Sequence, residues 1–439
     1  MASCRLLCIL GTAVFLTALW PQRALPQEPP PDPKTAQRVD PEPPPDPKAG
    51  QRVEWEGWSF RWSVRKMEGL VLTDVAYRGR PVLNYAGVAE ALVGYAHGEL
   101  TRDLSFPKEG FGINMEELLP GKDCYPGASC KAFNAQGKEE GKRLVMMHEE
   151  PLGLNYFGQA GRDHGKMLVL WSMARFPGPG GGYVYILRWR FRNDGSLLPE
   201  VLATGALQFP QSKDFPWNAE QIKQGRGPLV GLKPKELDKD ADPYVASLKV
   251  GDQVHSPSHV HSFIFRLAFA VDGPEHNAVE EYNYQPDAPD SIFFKGQWTR
   301  IKQEAGRSLN PRTFRSWRVV NLRSKNALGN PRSYELCPGG GGFYRGSPKE
   351  AVLQSDLWVT RYHADEFPFS SADKRRTADA LPTYLNGESV DGRKVVLWYV
   401  LSLHHEPRTE DWFPMPAARA GFELRPRDFL DASPLQPDK

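Results

Sequence analysis

The chain has 439 residues, enough to bury one large core or two ordinary ones, and its 40 glycines, 40 prolines and 11% aromatics suit many strands joined by turns. Its 55 basic and 53 acidic side chains nearly cancel to a formal charge of +2, with no block of like charge. That balance gives no footing for a nucleic-acid partner and points to a small or neutral one.

In chain order, an apolar run from Leu6 to Trp20 follows Arg5 and ends at Pro21 and Gln22. It is too short to span a bilayer comfortably, so residues 1–26 are expected to be a secretory signal peptide. The alternative is an uncleaved N-terminal anchor; either way the folded part is secreted or periplasmic. Loss of the signal removes Cys4 and Cys8 and leaves Cys124, Cys130 and Cys337. That odd set allows one disulfide and one spare thiol, with Cys124 and Cys130 the nearest pair. PPPDPKTAQRV at 29–39 returns as PPPDPKAGQRV at 43–53. This repeat has no apolar periodicity with which to build a core, so residues 27–53 read as an extended linker.

After Trp55 the pattern changes. WSFRWSV alternates, and EGLVLTDVAYRGRPVLNY reads as a hairpin turning at Arg78-Gly79. Residues 86–95 are the one stretch expected to be helical. KMLVLWSMARF, GYVYILRWRF, HSFIFRLAFAV, RTFRSWRVVNL, DLWVTRY and KVVLWYVLSL are short, aromatic or β-branched, and bounded by turn residues. No strand–helix–strand rhythm appears, so the expected fold is mainly β, a single large antiparallel β-sandwich over residues 54–439. The glycine runs at 177–182 and 337–342 do not stand between a strand and a helix, as a phosphate-binding loop requires.

HSPSHVHSFIFRL at 255–267 carries three of the ten histidines. Side chains alternate along a strand, so His259 and His261 share a face and can hold one metal between them. Imidazoles suit copper, zinc, iron or nickel, and an oxidising compartment favours copper or zinc. The plain alternative is a polar strand face. A third ligand must come from elsewhere: LSLHHEPRTEDWFPMP at 401–416 offers His404 and His405, of which only one can face inward with the pair. His255 and His363 are further candidates, with exposed polar positions as their ordinary reading.

HVHSFIFRL followed by LHHEPRTEDWFPMP resembles the copper amine oxidase family, whose metal site joins a His-x-His strand to a distant histidine opening a His-x-Pro-Arg-x-Glu-Asp stretch. The resemblance extends through EGLVLTDVAYRGRPVLNYAGVAEALVGY, DLWVTRY and GFELRPRDFLDASP, which is most of the globular chain but only the family's catalytic domain. It implies copper held by His259, His261 and His405, with His404 facing outward. It further implies topaquinone derived from Tyr183, a tyrosine (Tyr95) contacting the quinone, and a general base at Glu109 or Lys108, with Glu109 the chemically suitable choice. The implied activity is oxidative deamination of a primary amine with dioxygen, giving aldehyde, ammonia and hydrogen peroxide; a homodimer is also implied. The chain departs from the family pattern at Gly182 (asparagine in the family), at Val184 (an acid) and in the insert PGPG. A cysteine is lacking in RLVMMHEE, which alters the family disulfide. Ala268, Ala270 and Lys394 fall where family members place a peripheral calcium site, which is therefore not expected. The alternative expectation is a copper-binding member that has lost amine oxidation or performs other oxidation chemistry with an unmodified tyrosine.

Overall fold

The computed structural model describes residues 50–95, 100–102, 110–159, 161–176, 182–207, 248–251, 254–256, 258–286, 291–339, 351–364, 381–411 and 414–435, with a few isolated positions between them. The expected signal peptide and most of the linker lie outside these residues. Chain contacts set apart a unit from Val39 to Lys439. Within it, nearly all regular structure is antiparallel strand, arranged in two large sheets.

The first sheet runs β1 (Gln51–Trp55), β2 (Trp58–Arg65), β3 (Gly69–Tyr77), β4 (Arg80–Tyr95), β13 (His259–Phe269), β20 (Val395–His405), β19 (Leu357–Arg361) and β16 (Ala305–Arg307), with β5 (Leu100–Arg102) paired to β4. The second runs β15 (Phe294–Ile301), β14 (Asn277–Pro286), β17 (Ser316–Lys325), β18 (Pro331–Cys337), β22 (Glu423–Arg427), β10 (Leu197–Gly205), β9 (Tyr183–Arg192), β8 (Gly161–Phe176), β7 (Val145–Gly158) and β6 (Lys131–Phe133), with β21 (Met415–Gly421) paired to β10. A small ribbon, β11 (Leu248–Gly251) with β12 (Val254–Ser256), completes the set.

The sheets face each other because alternate residues of their strands are large and apolar. Trp58, Phe60 and Trp62 of β2 and Tyr185, Leu187, Trp189 and Phe191 of β9 join one buried cluster. Across the interface Phe60 stacks on Phe191 at 4.1 Å between centroids, and Trp189 meets Phe265 edge-on at 5.9 Å. Each such ring pair adds about 0.5–1.5 kcal/mol beyond the area it buries. Arg188, Arg190 and Arg192 alternate with these rings and are only half-buried, as period-two patterning of β9 demands. The outer faces are also covered. Val71, Ile264 and Trp398 of the first sheet pack under Val352 and Leu381, whereas Met146, Met167 and Trp171 of the second lie beneath the segment holding Cys124 and Cys130. Those two cysteines form a disulfide, and Cys337 is free.

The β3–β4 hairpin turns at Arg78-Gly79, both with positive φ, and pairs Tyr77 with Arg80. The helix expected over residues 86–95 is corrected: these residues continue β4, the central strand between β3 and β13. Ala, Glu and Leu are good helix formers, but Ala86, Val88, Ala89, Ala91, Leu92 and Val93 are all buried, and pairing on both edges outweighs a preference worth tenths of a kcal/mol per residue. A bulge at Ala89, where Ile264 pairs with Glu90 and Phe265 with Val88, further blurs the alternation that marks a strand.

Candidate metal centre

Strand register assembles the centre. β13 lies between β4 and β20, and His259 is directly opposite both Tyr95 of β4 and His405 of β20. Directly opposed residues share a sheet face, as do residues two apart on one strand, so His259, His261 and His405 all turn into the sandwich. They are 3%, 1% and 6% exposed, and one donor atom of each lies within 4.8 Å of the others. His405 Nδ1 is 3.2 Å from His259 Nε2.

The opposite sheet closes the site. The Tyr183 hydroxyl, at the start of β9, is 3.0 Å from His261 Nε2 and 3.3 Å from His405 Nδ1. Thus His261 Nε2 and His405 Nδ1 meet at one phenol oxygen, with His259 Nε2 beside His405 Nδ1. The far nitrogens have partners of their own. His261 Nδ1 is 2.9 Å from the Tyr185 hydroxyl, and His405 Nε2 is 3.1 Å from Asp411 Oδ2. The Asp411 carboxylate can only accept, so His405 carries its proton on Nε2 and presents Nδ1 as a lone pair; the Tyr185 hydroxyl is able to accept from His261 Nδ1 in the same way. Asp411 is in turn clamped by the Arg408 backbone N–H at 2.9 Å and the Arg408 guanidinium at 3.1 Å. Burial pulls its carboxyl up, but the hydrogen bonds from Arg408 and His405 prevail and hold it below the usual carboxylate range.

Electrostatics favour neutral imidazoles. Burial, reinforced by His259 and His405, pushes His261 well below the ordinary histidine value, and burial lowers His405 despite the opposing Asp411. Metal ligation requires deprotonated rings, so this environment suits a cation and disfavours protons. Three convergent imidazole nitrogens in a dry site are a donor set that copper accepts.

Gly182, just before Tyr183, has φ +87°, a region that glycine enters freely and asparagine tolerates better than other residues. Glycine in place of the asparagine of the family pattern is therefore conformationally consistent. Val184 is buried on the alternate face of β9 and places no charge beside Tyr183. Tyr183 itself is buried against Tyr185, whose ring contacts Phe176 and Phe111.

Not all candidates converge. His404 faces outward and is exposed, and His363 instead pairs with Glu388 at 2.6 Å. Glu109 and Lys108 lie outside the described residues, as do the side chains of His255 and Tyr95; for Tyr95 the backbone register opposite His259 is what the structure gives. Sequence reasoning missed Tyr185 and Asp411 as partners of the ligand rings. Tyr185 could have been found from its spacing of two from Tyr183, and Asp411 from the acid six residues after His405.

The description "Copper amine oxidase, enzyme domain" matches residues 48–437. The chain belongs to the copper amine oxidase family. It is 30% identical over 441 aligned residues to a peroxisomal copper-containing diamine oxidase of Nicotiana tabacum, covering 92% of this chain and 52% of that protein. It is 28% identical to a primary amine oxidase of Arthrobacter, covering 87% and 59%. Among solved structures it resembles a copper-containing benzylamine oxidase from Hansenula polymorpha, with TM-score 0.69 and 22% identity over 92% of this chain and 65% of that one, which shows a shared fold. The chain spans about half the length of the curated relatives it matches. Copper and a tyrosine-derived topaquinone are the cofactors of this family, and His259, His261 and His405 form a site able to bind the copper.

Proposed function

We propose that this copper amine oxidase family member oxidatively deaminates a primary amine to an aldehyde, with dioxygen as oxidant and ammonia and hydrogen peroxide as further products. In this reading His259, His261 and His405 hold copper and Tyr183 is the topaquinone precursor. The observation that carries it is the Tyr183 hydroxyl, within hydrogen-bonding distance of His261 Nε2 and His405 Nδ1. A phenol built against the metal ligands is what self-processing of a tyrosine requires. When present, the quinone supplies a carbonyl for the amine and a sink for the electron pair released at its α-carbon.

The chain's own residues do the rest. Tyr185 and Asp411 orient the ligand rings, and Tyr185, itself packed by Phe176 and Phe111, lies against the buried Tyr183. Tyr95 orients the cofactor ring by hydrogen bonding, and Glu109 takes the substrate α-proton. Without a base at Glu109, Lys108 or another position, proton removal slows by about 10²- to 10⁴-fold.

We further propose that the catalytic domain occupies residues 54–439 after a signal peptide (1–26) and linker (27–53), and that the protein is secreted or periplasmic. The apolar N-terminal run supports export, and no helix among the described residues is long and apolar enough to cross a membrane. A homodimer is supported by the β14–β15 hairpin, whose tip exposes Ile292, Phe293 and Phe294. The second reading, a copper protein with an unmodified tyrosine or without amine oxidation, draws on Val184, which stands where the family pattern has an acid.

Mass spectrometry of the Tyr183 peptide after exposing metal-free protein to copper and air tests the proposal. A gain of two oxygens with loss of two hydrogens, absent in Tyr183→Phe, is expected. An unmodified tyrosine in copper-loaded protein would leave the second reading.

A further inference from the structure

Away from the trihistidine centre, a second set of metal-ligating side chains among the described residues brings its donor atoms within 4.8 Å of one another: Cys124, Cys130 and His148. Cys124 follows the short helix Pro120–Asp123, and the turn after it is exposed, with Gly127 at φ +87°. Cys130 leads into β6, whose Lys131 pairs with Met147 of β7, so the ladder carries Cys130 to the neighbourhood of His148. Both cysteines are partly exposed and joined as a disulfide, within reach of a small thiol.

His148 provides the independent observation. It is 8% exposed, and its Nε2 lies 3.0 Å from Glu150 Oε1 on the same strand. Its Nδ1 is buried with no hydrogen-bond partner. Glu150 also faces the Arg190 guanidinium, 3.7 Å away. With Nε2 turned to Glu150, Nδ1 is the ring atom left in the interior without a partner. An imidazole whose far N–H is anchored on a carboxylate is the usual preparation of a metal-ligating histidine. A buried nitrogen with an unused lone pair is costly unless a ligand takes it.

We propose that Cys124, Cys130 and His148 form a second, redox-gated metal site that takes a thiophilic cation, zinc(II) or copper(I), when the disulfide is reduced. Two equivalents of a small thiol reduce the bond: the Cys124–Cys130 S–S bond breaks, two cysteine thiols form, and the reductant leaves as its own disulfide. The cation then displaces both thiol protons and binds two thiolates and one imidazole. With a divalent ion these three ligands give a neutral centre, so the Glu150–Arg190 pair beside it is not disturbed. Three protein ligands leave a coordination position for water or an exchangeable partner. The site is independent of amine oxidation.

The test uses full-length protein, oxidised and thiol-reduced, titrated with cobalt(II) as a spectroscopic stand-in for zinc. Imidazoles alone give no thiolate-to-cobalt charge-transfer band, so the trihistidine centre is silent in this readout. The band is expected in reduced protein only, lost in Cys124→Ser, and shifted to about 10- to 100-fold weaker binding in Glu150→Gln, which keeps both thiolates. Bathocuproine competition with copper(I) should show the same dependence on reduction. A reduced, folded protein with no band at saturating cobalt would overturn the proposal. So would a band of equal affinity in His148→Ala, or loss of the fold, by circular dichroism, on reduction alone.

Discussion

The trihistidine centre and the Cys124–Cys130–His148 corner share a construction and differ in what fixes it. Each gathers three donors, and each contains a histidine whose second nitrogen rests on a carboxylate, Asp411 at 3.1 Å or Glu150 at 3.0 Å. In the first, the ligands are carried by adjacent strands of one sheet, and the hydrogen-bonded register of β13 with β20 sets them opposite one another before any metal arrives. In the second, two of the three ligands sit on a loop, and a covalent bond between them decides whether they are available. A site on paired strands is constitutive; one on a bridged loop is conditional.

The largest expected effect separates the two centres. His261→Ala removes a ligand and the contact with Tyr183, so copper per chain at the trihistidine centre should fall towards zero while the cobalt–thiolate band of reduced protein is unchanged. Bound copper stabilises the wild type, by about 2.7 kcal/mol at a free concentration one hundred times its dissociation constant. Thermal melts with and without copper should therefore coincide in the variant. If copper still raised the melting temperature of His261→Ala, the trihistidine assignment would be wrong.

Next in size is Asp411→Asn. The amide keeps the shape but gives up the charge that favours the Nε2–H tautomer of His405. Copper affinity should drop about 10- to 100-fold, measured by competition with a chelator, with the fold intact. An unchanged affinity would mean that β20 alone orients His405.

These residues also show what the sequence could reveal. The sandwich was legible because β2 and β9 alternate large apolar and polar residues, and the pairing of His259 with His261 because His-x-His on a strand can only face one way; the choice of His405 over His404 came from the family resemblance. β4 was not: residues 86–93 are buried on both faces, include small helix-forming side chains and carry a bulge, so neither period two nor composition marks them. Asp411 was present in the quoted motif, yet its task depends on the 3₁₀ turn Thr409–Asp411 folding the chain back on His405. His148 was further from view, because its link to Cys130 passes through the β6–β7 ladder and not through spacing along the chain.

A smaller effect is expected from Tyr185→Phe, which removes the oxygen facing His261 Nδ1 but keeps the ring packed on Phe176 and Phe263. The loss is one neutral hydrogen bond, about 0.5–1.5 kcal/mol, or roughly 2- to 10-fold in copper affinity. A loss as large as that of Asp411→Asn would show that the phenol sets the His261 tautomer as firmly as the carboxylate sets that of His405.

The smallest effect tests the conditional corner through the remaining cysteine. Burial, with help from Glu335, pushes the Cys337 thiol up to about 12. The thiolate is the nucleophile, so a raised value means that Cys337 stays protonated and unreactive through neutral and mildly alkaline pH, ionising only as pH approaches that value. Iodoacetamide at pH 8 should therefore leave Cys337 unlabelled in the folded protein before and after mild reduction. Reduction should open Cys124 and Cys130 to labelling, and zinc should protect those two. Peptide mapping reads all three sites at once. Labelling of Cys337 at the rate of the loop pair would mean that its surroundings do not suppress thiolate formation, whereas zinc protection confined to Cys124 and Cys130 would place the thiolate ligands on the loop.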